Sequence, residues 1–178
     1  MKEIPLILPD LDLQPGDLYL TREPAILRTI LGSCVGVTFW SRRLGAGALC
    51  HGVLPRCPAA ALTNPSNREW HRYVDFSIRH LAQQFDGLGA SRNELQVKLF
   101  GGADVLPNDR IDKPTVGALN CMVALEVVEA EGLTVFASDL GGNRGRRIHF
   151  HTGTGEVLLH RLAAWSKPHL RHDDFSRA

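Results

Sequence analysis

The chain has 178 residues, with 20 Lys and Arg against 19 Asp and Glu for a formal charge of +1, and 44% of its residues are hydrophobic. That length supports one domain with a real core and is short for two, and the near-neutral charge gives no electrostatic argument for a nucleic-acid or membrane-surface partner. No run approaches the roughly 18–20 apolar residues of a spanning helix, and the amino terminus, broken by Pro5 and Pro9 and bounded by Asp10, lacks the apolar region of a signal peptide. The expectation is a cytoplasmic protein without membrane insertion, whose Cys34, Cys50, Cys57 and Cys121 stay reduced.

Residues 1–15 read as an irregular or edge-strand lead-in ended by Pro15-Gly16, and residues 17–21 (DLYLT) alternate as a short half-buried strand. Residues 22–24 break it, 25–31 lead to Cys34, and 34–54 form a β-hairpin closed by Pro55. A loop rich in Pro, Ala, Asn and Ser covers 56–67. Ser66 with Glu69 has capping-box spacing, and Trp70, Val74, Ile78, Leu81 and Phe85 then recur at helical period until Asp86-Gly87. Residues 95–100 (LQVKLF) alternate as a strand ending in Gly101-Gly102, and a loop carrying Pro107 and Pro114 follows. A second helix runs from near Thr115 to Glu131, burying Leu119, Val123, Val127 and Val128 and stopped by Gly132. Residues 133–138 are a strand, 139–146 a Gly-rich loop, and 148–152 with 156–160 a hairpin. Strands outnumber the two helices and are mostly joined without helical crossovers. The expected class is α+β: packed mixed or antiparallel sheets flanked by two main helices in a single domain, residues 16–164, with 165–178 as a polar tail.

The first hairpin carries the chemistry. Cys34 follows Gly32 and Ser33, and the return strand carries His51. With a loop centred on Arg42 and Arg43, residues whose numbers sum to 85 oppose each other, and Cys34 and His51 are such a pair on one face. A one-residue slip would put them on opposite faces, and Leu44-Gly45-Ala46-Gly47 is the more natural turn. The thiolate is the nucleophilic form of cysteine, an adjacent histidine promotes it, and backbone N–H groups about Gly32, Ser33 and Cys34 can hold an oxyanion. Cys50 points away from His51 on a strand and reads as packing. Cys50, His51 and Cys57 lack the spacing of structural zinc sites, so neither a metal nor another cofactor is expected. Gly101-Gly102 and Gly141-Gly142-x-x-Gly145 match no phosphate-binding pattern and read as close backbone approach or positive φ. His149 and His151 share one face of a late strand and read as exposed, and Arg144, Arg146 and Arg147 read as a solvated cluster.

Four separated segments, LGSCVGV about Cys34, HGVLP at His51, KLFGGA at 98–103 and DLGGNRGR at 139–146, resemble in order the chemoreceptor glutamine deamidase family, CheD, over about residues 16–162. The resemblance implies Cys34 as nucleophile, His51 as its base and an upstream threonine, Thr29, assisting the histidine. Read as a residue, Thr29 is either the hydroxyl that orients the imidazole or a plain β-branched strand residue; Asp139 is the acidic competitor, otherwise a turn residue. The implied activity converts glutamine side chains on chemoreceptor cytoplasmic domains to glutamate through a cysteine thioester. A CheC-type chemotaxis phosphatase is the further partner that the resemblance implies. The alternatives are a non-catalytic module docking to receptor or phosphatase, against which the intact Cys34–His51 pair argues, and a cysteine peptidase, which lacks a recognisable second orienting group.

Overall fold

Alternation and turn chemistry lay down two sheets, which a computed structural model describes over residues 8–59, 68–105 and 113–164. The strands are β1 (Asp10–Asp12), β2 (Leu18–Thr21), β3 (Ile26–Leu31), β4 (Val35–Ser41), β5 (Ala46–Gly52), β6 (Gln96–Gly101), β7 (Val135–Leu140), β8 (Arg146–His151) and β9 (Val157–Arg161). One sheet has the order β1-β3-β8-β9 and the other β2-β5-β4-β6-β7. Two helices, α1 (Val74–Gly87) and α2 (Val116–Ala130), complete the α+β class expected from the sequence.

The five-stranded sheet is the middle layer. On one face Val35, Val37, Phe39, Ala48, Cys50, Val97 and Leu99 pack with Ile78, Leu81, Phe85, Val123 and Val127 of the helices. On the other, Trp40, Leu49 and Phe100 meet Leu27, Leu31, Ile148 and Phe150 of the four-stranded sheet. With both faces covered, β4 and β5 are buried at every position, which is why they read as near-continuous apolar runs.

Several expectations move by a few residues. The β4–β5 ladder pairs Val35 with Gly52 and Ser41 with Ala46, so opposed numbers sum to 87 rather than 85. Its loop is 42–45, because Gly45 accepts φ +58 while Ser41 Oγ takes the Leu44 N–H at 3.2 Å. A two-residue shift preserves faces, so Cys34 and His51 remain on the same side. The first helix starts at Val74, behind a 3-10 segment at Arg68–Arg72 that contains Trp70; its N-cap, Tyr73, makes no side-chain cap bond. Ser66 of the expected capping box lies outside the described residues, as does the 165–178 tail. In α2, capped by Thr115 Oγ1 accepting from the Ala118 N–H at 3.1 Å, the buried row is Gly117, Asn120, Val123, Ala124, Val127 and Val128, with Leu119 only half-buried. β7 runs two residues past its expected end, making Asp139 a strand residue rather than a turn residue. The last hairpin spans Arg146–His151 and Val157–Arg161, each bound displaced by one or two residues.

Candidate active site

Thr29 and His51 come from different sheets. On β3 the inward positions are Leu27, Thr29 and Leu31, all buried, and on β5 His51 follows the inward Leu49 at the two-residue period of a strand. They meet between the sheets, where Thr29 Oγ1 lies 2.8 Å from His51 Nδ1. The same hydroxyl donates to the Leu13 carbonyl at 2.8 Å. A hydroxyl has one proton. With that proton on Leu13, Oγ1 accepts from Nδ1–H, and this tautomer leaves Nε2 with its lone pair. Nε2 is buried and has no hydrogen-bond partner among the described residues. The imidazole is therefore a held, neutral base with one unused nitrogen.

Backbone bonds fix the histidine's own position. The Gly16 N–H donates to the His51 carbonyl and the His51 N–H to the Asp17 carbonyl, each at 2.9 Å. His51 is 2% exposed, and burial pulls its pKa down to about 4, against the opposing influence of the Leu13 carbonyl and the Asp17 carboxylate. Burial also raises the pKa of the Cys34 thiol, although its own backbone N–H favours the thiolate. The sequence leads to the expectation that the histidine promotes the thiolate, but burial raises the thiol pKa and lowers that of the imidazole, favouring neutral thiol and neutral imidazole at rest.

The sign of the histidine shift sets a pH dependence. The unfolded chain binds a proton near pH 6.5 and the folded chain only near 4, so the stability contributed by neutral His51 is complete above 6.5 and is lost as pH falls toward 4. By that linkage wild-type protein loses about 3 kcal/mol over this window. Urea unfolding at pH 7 and 4.5 should show this share of the loss in wild type and its absence in His51→Gln.

Cys34 sits in the bend between β3 and β4, one residue before the β4 ladder begins. Gly36 pairs with His51, so Cys34 is the diagonal neighbour of the histidine, about 7–8 Å away between backbones. Its side chain packs with the inter-sheet cluster that includes Leu49. The KLFGGA segment holds the bend from below. The Gly102 N–H donates to the Cys34 carbonyl and the Ala103 N–H to the Gly32 carbonyl, both at 2.8 Å. Gly101 and Gly102 have φ of +105° and +64°, and a Cβ on Gly101 would lie 2.2 Å from the Cys34 carbonyl oxygen. Close approach is thus the reason for these glycines.

Three residues missed or misread in the sequence support this loop. Asn120 of α2 is fully buried, and its Nδ2 donates to the Ser33 and Val53 carbonyls at 2.9 Å each. An asparagine among the apolar residues of a helix was the available signal. Arg146 is buried rather than solvated, and Asp139, instead of orienting His51, accepts from Arg146 Nε and Nη2 at 2.9 and 2.7 Å and also pairs with Arg161. This pair brackets the second Gly-rich loop, whose Gly141 N–H donates to the Gly101 carbonyl and whose Gly142 carbonyl accepts from the Asp104 N–H. Arg144 and Arg147 are exposed. Cys50 packs on the helix side of the sheet, its pKa pushed up to about 12 by burial, away from His51 as its position on the strand requires.

A family model described as CheD chemotactic sensory transduction matches residues 54–161, more than half of the chain. The chain belongs to the CheD family. A Geobacter sulfurreducens protein named probable chemoreceptor glutamine deamidase CheD 2 is 43% identical over 155 residues, 87% of this chain and 91% of its own length. Probable chemoreceptor glutamine deamidases CheD of Maridesulfovibrio salexigens and Rhodospirillum rubrum are 40% and 37% identical, over 84% and 83% of this chain and 90% and 79% of theirs. Within this CheD-family chain the supports of the cysteine loop, Gly101, Gly102, Asn120 and Gly141, lie inside the span matched by the family model; Thr29, Cys34 and His51 precede it.

Proposed function

We propose that the protein is a cysteine-dependent protein-glutamine deamidase acting in chemotaxis, with cytoplasmic domains of chemoreceptors as substrate. The observation that carries the mechanism is the buried Thr29–His51 hydrogen bond, which leaves Nε2 as the free base on the Cys34 side of the sheet. Family membership supports the substrate, since the relatives carry that activity in their names.

In the proposed reaction Cys34 Sγ attacks the side-chain carbonyl carbon of glutamine as its proton passes to His51 Nε2. The carbonyl π electrons move to oxygen, and the oxyanion is held by backbone N–H groups about Cys34. Collapse breaks the C–N bond, His51 returns the proton to the departing nitrogen, and ammonia leaves a thioester. Water then attacks, gives a proton to His51, and expels the Cys34 sulfur, which recovers that proton. The net change is glutamine plus water to glutamate plus ammonia.

Thr29 is the positioning residue in this scheme. Thr29→Val keeps the shape but leaves Nδ1–H and the Leu13 carbonyl without their partner. The expected result is a destabilisation of about 1–3 kcal/mol and a drop in kcat on the order of tenfold or more, as for weakened general-base catalysis, with Thr29→Ser restoring most of both. Steady-state ammonia release and urea unfolding of the two variants check this.

The function itself is tested by incubating a folded receptor cytoplasmic fragment with wild type or Cys34→Ala and following glutamine-to-glutamate conversion by mass spectrometry. Conversion by wild type alone supports the reading. Absence of conversion by wild type moves the assignment to a docking module, for which receptor and a CheC-type phosphatase are the partners to test by copurification.

A further inference from the structure

The Asn120 carboxamide bridges the two strands of the catalytic hairpin just beyond the end of their ladder. One N–H goes to Ser33, the residue before the nucleophile, and the other to Val53, two residues after His51. The reversed amide orientation would set an oxygen against both carbonyls, so the nitrogen position is dictated by its partners. The short planar amide supplies both donors from one nitrogen.

Those bonds have a consequence for Cys34. In a trans peptide the carbonyl of Ser33 and the N–H of Cys34 point in opposite directions, and Ser33 directs its carbonyl at α2. The Cys34 N–H therefore points away from the helix. That N–H belongs to the residue that carries Sγ, and it favours the thiolate. The following peptide is fixed as well, because the Cys34 carbonyl accepts from Gly102. The Cys34 N–H itself has no acceptor among the described residues. Both peptide planes of the nucleophile are thus held by their carbonyls, and among the described residues the Cys34 N–H is left without a backbone acceptor.

We propose that Asn120 is a positioning residue for the deamidation, holding the Ser33 carbonyl so that the Cys34 N–H is presented to the oxyanion formed when Sγ adds to the glutamine carbonyl. This rests on the deamidase reading, and its test separates the two.

The experiment compares wild type, Asn120→Asp and Asn120→Ser in two reactions. One is ammonia release from the receptor fragment, which passes through an oxyanion. The other is alkylation of Cys34 by iodoacetamide, a direct displacement that forms none. Losing the orientation of one oxyanion donor is expected to lower kcat by about 10²-fold, with KM and the alkylation rate within about threefold of wild type. Asn120→Ser keeps one donor and serves if the buried carboxyl of Asn120→Asp prevents folding, which circular dichroism reports. Wild-type kcat in a folded variant overturns the inference and leaves the deamidase reading intact, and so does a parallel fall of alkylation and turnover, which marks a purely structural role. A wild-type protein that alkylates normally but releases no ammonia overturns both.

Discussion

Replacing His51 by glutamine is expected to lower kcat for ammonia release by about 10²–10⁴-fold, the range for loss of a positioned acid–base group, with little change in KM. The magnitude follows from the resting state of the site. Burial keeps the Cys34 thiol protonated and the imidazole neutral, so attack requires removal of the thiol proton within the same step, and Nε2 is a buried base on the Cys34 face with no hydrogen-bond partner among the described residues. Glutamine fills much of the ring's volume and can still bond Thr29, but it offers no basic nitrogen. The wild-type profile of kcat/KM should rise through a pKa near 4 rather than near 6.5, reporting the depressed histidine. In His51→Gln that acidic limb should vanish, and only the slow rise with thiolate formation at alkaline pH should remain. Stopped assays across pH 4–9 on the receptor fragment measure both.

Gly101→Ala is expected to destabilise the protein by about 3–5 kcal/mol, combining left-handed strain with a backbone clash. The new Cβ would sit 2.2 Å from the Cys34 carbonyl oxygen at a φ of +105°. The nearest atoms, the Cys34 carbonyl oxygen and carbon, are backbone and cannot swing aside. Relief requires moving the β6 end or the cysteine bend, so any folded fraction should also deamidate poorly. Gly132→Ala is the control: it too has positive φ, +66°, but nothing lies within 4 Å of its added Cβ. It should cost about 1 kcal/mol, the left-handed penalty alone, and keep full activity. Urea unfolding of the two variants, read beside wild type, separates steric contact from backbone strain.

The shared face of Cys34 and His51 was legible in the sequence because strand parity survives errors of two. The hairpin turn was placed one residue too early, which changed every opposed pair, yet Cys34 and His51 kept a common face. Thr29 was legible only as one of two readings, since its partner comes from the other sheet, and pairing between sheets leaves no spacing in the sequence. Asn120 and Arg146 show the other limit. Arg146 reads as solvated from its loop neighbours and Asn120 draws no reading inside its helix, yet both are buried because a distant backbone or carboxylate needs them. The polar residue that breaks an apolar helical row, and the acid and base that flank a Gly-rich loop, are the signals that would have found them. The helix starting at Val74 rather than near Ser66 reflects the same difficulty at an element boundary, where a 3-10 segment takes over the first turn.

Whether Cys34 carries the substrate as a thioester is decided by an acid-quenched reaction of stoichiometric protein and receptor fragment, analysed by intact mass. An adduct equal to the two chains less one ammonia is expected, mapped to Cys34, decaying as glutamate appears and absent in Cys34→Ala. Glutamate formation by Cys34→Ala at the wild-type rate would contradict this role for Cys34.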